Sequence, residues 1–132
     1  MKPVNTFPLW RTLIVSLLPL SLALVPAAHA AGDLPGKGVF ASECAECHSA
    51  TAGKNKKGPS LFGVAGRRAG SVPDFNYSDA MKQSQWTWSD EKLHSYLSQP
   101  ASKAMPGTKM KYDGLDDDKQ LQELITYLHS LH

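Results

Sequence analysis

The 132-residue chain reads as an all-α domain of three to five short helices joined by long loops, on three observations. Leu121, Leu124, Ile125, Leu128 and Leu131 recur at helical spacing and make one apolar stripe behind an acidic start, Asp116 to Asp118. Ser78 and Ser89 each stand where a hydroxyl caps a helix, the second followed by Asp90 and Glu91. No stretch alternates apolar and polar residues as a half-buried strand does, and glycine and proline cluster between the helical segments.

Residues 1–30 read as a secretory signal to be cleaved, leaving 31–132 as a single domain. Lys2 and Arg11 form the positive start, Leu13 to Val25 the apolar run, and Ala28-His29-Ala30 a small-x-small cleavage site before Ala31. The run is shorter than the ~20 apolar residues that span a bilayer, and it contains Pro19. Cleavage takes Lys2 and Arg11 from the 14 basic residues and leaves 12 against 12 acidic ones. The mature chain is then neutral, without the strongly basic face that nucleic acid demands.

Asp33 as an N-cap and Pro35 in the first turn predict a helix over 34–47, with Gly36, Val39, Phe40 and Cys44 on related faces. Residues 49–60 follow as a loop, in which Lys54, Lys56 and Lys57 read as a solvated charge cluster. Residues 61–76 are irregular, with Gly63, Gly66, Gly70 and Pro73. Ser78 caps a short helix to about Gln83, and Ser89 starts another that runs to Ser98 and stops before Pro100. That helix turns Leu93, Tyr96 and Leu97 inward. Residues 100–114 return to loop before the last helix. Loops this long count against a compact domain unless they wrap a cofactor instead of each other.

The only two cysteines fall within Cys44-Ala45-Glu46-Cys47-His48, the attachment signature of a covalent c-type haem. Each thiol adds across one vinyl group, and on a helix Cys44, Cys47 and His48 share a face. His48, directly after the second anchor, is placed as the proximal iron ligand. A thiol–disulfide centre would want a thioredoxin-like alternation of strands and helices, which is missing from the pattern. A zinc site wants four ligands where the motif offers three. The plainest alternative is a structural disulfide beside a stray histidine. Export suits the haem reading, because free thiols in an oxidising compartment otherwise pair. About 100 residues make a small core, which a buried haem would enlarge.

The chain resembles the small class I c-type cytochromes of mitochondria and bacteria over nearly all of 31–132. The likeness rests on Gly36 and Phe40, the haem motif, Gly58-Pro59-Ser60-Leu61 and Gly66-Arg67-Arg68. It continues through Phe75-Asn76-Tyr77-Ser78-Asp79-Ala80, Trp88, Leu93, Tyr96-Leu97 and Pro100. It ends with Pro106-Gly107-Thr108-Lys109-Met110, Leu124 and Tyr127. The resemblance implies a cytochrome c-like fold around one covalently attached haem c. It makes Cys44 and Cys47 the thioether anchors, and His48 and Met110 the two iron ligands. It gives the Pro59 carbonyl the His48 Nδ1–H bond, and places Arg67, Tyr77 and Trp88 around the propionates. Tyr96 and Thr108 fall near the methionine side, and Gly36 and Phe40 on a first helix that crosses the last at Leu124 and Tyr127. His94, His129 and His132 read as surface groups, and Trp86 has no assigned role. The chain departs from the pattern at Met81, where an asparagine is common, and at Ala101-Ser102, where mitochondrial members carry lysines.

The function so implied is that of a soluble, monomeric, periplasmic electron carrier, not an enzyme. It would exchange single electrons with membrane or soluble redox proteins. Lys37, Lys56, Lys57 and Lys109 would form a basic rim that steers acidic partners. Two other functions fit the same motif: a peroxidase-like haem enzyme with a labile sixth site, and a tethered haem module of a larger respiratory complex.

Overall fold

The computed structural model describes residues 34–132; the expected signal, its cleavage site and the Asp33 cap lie outside them. Among the described residues five helices follow one another: α1 Lys37–Glu43, α2 Asp79–Gln83, α3 Asp90–Leu97, α4 Ala101–Ala104 and α5 Asp118–His129. Among the described residues the sole β pairing is an isolated antiparallel bridge between Arg68 and Thr87.

The caps fall where the side-chain chemistry puts them. Ser78 Oγ accepts from Met81 N at 3.2 Å, and Ser89 Oγ from Lys92 N at 3.3 Å. Asp117 Oδ1 accepts from Gln120 N at 2.9 Å and opens α5. Such caps each contribute about 1 kcal/mol. In α5 the apolar stripe is buried as its spacing requires, with Leu121 and Leu124 at 0 % exposure. Burial of each such side chain is worth about 1.5–3 kcal/mol. The helix lies against α1 on one side and α3 on the other, while α4 packs on α3.

The first helix is shorter than the expected 34–47. It begins at Lys37 behind Gly36, whose φ of 88° no preceding cap dictates. The cause is tertiary: a Cβ on Gly36 would collide with the Glu123 carbonyl group and stand 2.7 Å from Leu124 N. Glycine lets the α1 and α5 backbones touch, and the Phe40 and Tyr127 rings close the crossing at 5.3 Å. Gly36→Ala should therefore cost about 3 kcal/mol or more, from left-handed strain plus overpacking. Thermal unfolding of the haem-loaded protein should shift down by roughly 15 °C. A shift under a few degrees would mean that the crossing gives way easily.

Residues 101–104, expected as loop, form the single turn α4 instead, because Pro100 both ends α3 and starts a new turn as its N-cap. Opposite ends of the antiparallel α3 and α5 are joined by reciprocal pairs. His94 Nε2 lies 3.5 Å from Asp118 Oδ1, and His129 Nε2 lies 2.5 Å from Asp90 Oδ1. These histidines are at the surface as expected, and exposed pairs of this kind are worth about 1 kcal/mol at most.

Candidate functional site: a cysteine-lined cavity

The motif begins where α1 ends. Cys44 caps the helix, its N–H bonded to Phe40 O at 2.9 Å. The N–H groups of Cys47 and His48 then return to Cys44 O at 3.1 and 2.8 Å. This turn after the helix, not a continuous helix, carries Cys44, Cys47 and His48 round to one cavity. Both thiols are free. Burial first, then the Glu43 and Cys47 charges, push the Cys44 thiol up to about 12. Disulfide exchange favours a thiolate of low pKa, and burial moves the Cys44 thiol the other way. Nor do three or more metal-binding side chains converge among the described residues, as a zinc site requires.

The loop after the motif folds back to hold the imidazole. His48 Nδ1 donates to Pro59 O at 2.8 Å, so the lone pair resides on Nε2. Burial, the largest influence, lowers the His48 pKa and keeps the ring neutral; the Pro59 bond opposes it, and the Lys56 charge adds to it. A Cβ on Gly58 would run into the His48 ring, 2.7 Å from Nδ1, so only glycine lets this loop cover the histidine. Its spacing before Pro59 was visible in the sequence, but not this contact. Gly58 N donates to Cys47 O at 2.7 Å. Two members of the expected solvated lysine cluster are latches: Lys56 Nζ donates to Ala45 O at 2.5 Å, and Lys57 Nζ pairs with Glu46 at 2.6 Å. Lys57 is thus neutralised within the chain, which weakens the expected basic rim.

The cavity has a volume of about 640 Å³ and is lined by all ten residues singled out in the sequence. On its far side Tyr96 Oη donates to Met110 Sδ at 3.5 Å and lies 3.4 Å from Thr108 Oγ1. Thr108 Oγ1 accepts from Met110 N at 3.2 Å, so this hydroxyl braces both partners. Lys109 Nζ reaches across to the carbonyls of Asn76 and Tyr77, at 3.2 and 3.5 Å, and fastens the methionine loop to the segment before α2. Met81 also lines the cavity, whereas Met105 is buried away from it at the end of α4.

Arg67 and Arg68 part company. Arg67 turns inward, its guanidinium donating to Phe62 O at 2.6 Å and Ser60 O at 3.0 Å. Burial lowers its pKa. Arg68 turns outward to Gln85. The Tyr77 hydroxyl accepts from Val72 N at 3.3 Å, and burial raises its pKa. Trp88 stacks edge-on with Tyr96 at 5.1 Å and with Trp86 at 6.1 Å. The unassigned Trp86 is thereby an aromatic buttress, with Lys92 Nζ 4.2 Å above its ring.

Two free thiols on one edge, a neutral imidazole with Nε2 available and an apolar chamber bounded by a thioether suit a covalently anchored porphyrin. These residues and this all-α frame define a small haem protein of the cysteine-anchored class. The family model for cytochrome c matches residues 34–132. Cytochrome c of Arabidopsis thaliana is 46% identical over 94 residues, covering 70% of this chain and 83% of that protein. Cytochrome c2 of Blastochloris viridis is 41% identical over 119 residues, covering 89% of this chain and 91% of that protein. The solved structure of cytochrome cH from Methylobacterium extorquens is 39% identical with a TM-score of 0.67, covering 75% of this chain and 99% of that one. The chain belongs to the cytochrome c family of electron carriers, whose cofactor is one covalent haem c.

Proposed function

We propose that this chain is a soluble periplasmic carrier whose haem is anchored through Cys44 and Cys47 and ligated by His48 and Met110. When bound, the haem supplies a one-electron ferric/ferrous couple. One observation carries the reading: both candidate ligand atoms are already oriented by partners of their own. Pro59 O holds Nδ1–H and so presents Nε2, while the Tyr96 hydroxyl holds the Met110 thioether. A thioether is a soft ligand that favours the reduced metal and raises the potential. The mostly apolar lining suits the porphyrin faces, and Arg67, Tyr77 and Trp88 offer the polar and aromatic wall for the propionates. The partners in this reading are redox proteins met in brief, small interfaces.

The test is spectroscopic. Carbon monoxide added to the ferrous protein at neutral pH should barely change the visible spectrum, because Met110 occupies the sixth position. Rapid stoichiometric binding would show that position open and replace the carrier with the peroxidase-like enzyme. The location has its own measurement. Among the described residues no helix is long and apolar enough to cross a membrane. Sequencing of the exported protein should begin at Ala31, and a mature N-terminus that retains Leu13 to Val25 would make it the tethered module instead.

A further inference from the structure

His48 is held by a single peptide unit, and that unit has a second partner. The Pro59 carbonyl accepts from His48 Nδ1 at 2.8 Å. The N–H of the same peptide belongs to Ser60, and it donates to Asn55 Oδ1 at 2.9 Å. The peptide is trans, so its carbonyl and its N–H point to opposite edges. The Asn55 amide, one planar peptide and the imidazole thus form a continuous chain of hydrogen bonds. A backbone N–H only donates, which fixes the oxygen of the Asn55 amide, not its nitrogen, as the facing atom. The peptide itself is held still. Ser60 is buried, its Oγ donates to Thr51 O at 2.6 Å, and its carbonyl accepts from Arg67 Nη2 at 3.0 Å. Asn55 is half-buried at the head of a turn that Lys56 N closes onto Gly58 O at 2.9 Å.

We propose that Asn55 is a positioning residue that acts on the proximal ligand through the Pro59–Ser60 peptide. The inference rests on His48 being that ligand. When the Ser60 N–H donates to Asn55, peptide resonance moves electron density toward the Pro59 oxygen. That carbonyl becomes a stronger acceptor for His48 Nδ1–H. A stronger bond there leaves more negative charge on the ring and makes Nε2 a better donor. A better donor favours the higher oxidation state, so Asn55 lowers the potential that the Met110 thioether raises.

The experiment measures the midpoint potential of the haem-loaded protein together with the His48 Nδ1–H proton resonance of its ferrous form. Asn55→Leu keeps much of the volume and supplies no acceptor. At a fixed ambient potential it should move the ferrous-to-ferric ratio roughly two- to threefold toward ferrous. That is about 18–28 mV upward, at ~59 mV per tenfold for one electron. The resonance should move upfield. Asn55→Asp supplies a stronger acceptor and should move both readings the other way. A role in loop packing alone would change stability without ordering the three side chains by acceptor strength. Readings left unchanged by Asn55→Leu, or displaced in one direction by both substitutions, overturn the proposal. Should Asn55→Leu not fold, the direction taken by Asn55→Asp decides it. In the unsubstituted ferrous protein the porphyrin ring current should displace the carbon-bound protons of the His48 ring far upfield. Without that displacement His48 is not the ligand, while the Nδ1–H comparison still decides whether Asn55 acts on the imidazole.

Discussion

Met110→Ala should abolish the weak far-red charge-transfer band of the ferric protein and lower its reduction potential. The band arises from sulfur bound to iron, so it reports this one side chain. Axial ligation spans about 0.8 V across haem proteins, so losing the thioether should lower the potential by a few tenths of a volt. The competing thioethers can be told apart by place. Met105 lies outside the cavity lining, so Met105→Leu should keep the band. Met81 does line the cavity, but it sits in α2, where its backbone is occupied in the Ser78 cap. Met110 alone among them takes a hydrogen bond at sulfur, from Tyr96. Met81→Leu should therefore keep the band too. A band that survives Met110→Ala and vanishes in either control would transfer the ligand role.

Replacing both Cys44 and Cys47 with serine should leave a largely unfolded chain that no longer holds haem through a denaturing gel. The cavity of about 640 Å³ is bordered by core residues Val64, Leu93, Tyr96 and Leu128. Without a covalently retained porphyrin those side chains face a void or water. A small single domain has a net stability of only about 5–15 kcal/mol, too little to bear that loss. Near-ultraviolet circular dichroism should collapse together with the haem stain. A variant that retains native tertiary signals would show that the protein frame is self-sufficient and that the cofactor does not organise it.

What the sequence disclosed and what it withheld follow the range of the interactions. Ser78, Ser89 and the acidic run before α5 act within one helical turn, and all three starts were readable from neighbouring residues. The Leu121 to Leu128 stripe is likewise a local period. The start of α1 was not readable, because Gly36 answers to Glu123, far along the chain. The turn α4 escaped because Pro100 works in both directions. Lys56 and Lys57 are exposed as expected, but nothing local announces that their loop folds onto Ala45 and Glu46. In the site, the ten expected residues do gather in one cavity. For Cys44, Cys47 and His48 the spacing alone foretold it. For Met110, Tyr96 and Arg67 it was the ordered resemblance, to which the structure adds their partners. Its place after Gly66 marks Arg67 over Arg68, and the structure turns Arg67 to the Phe62 and Ser60 carbonyls and Arg68 to Gln85.

The crossing of α1 on α5 at Gly36 bears on how the molecule comes apart. The outermost helices of a domain ordinarily fray first, at little free-energy cost. Here they brace one another, with Phe40 on Tyr127 and bare backbone on bare backbone. Neither can lift without exposing the other's apolar face, and α1 runs directly into Cys44. Opening from the ends is thereby coupled to opening of the whole domain. Slow solvent exchange should be found at the amides of α1 and α5, while the loops between them breathe.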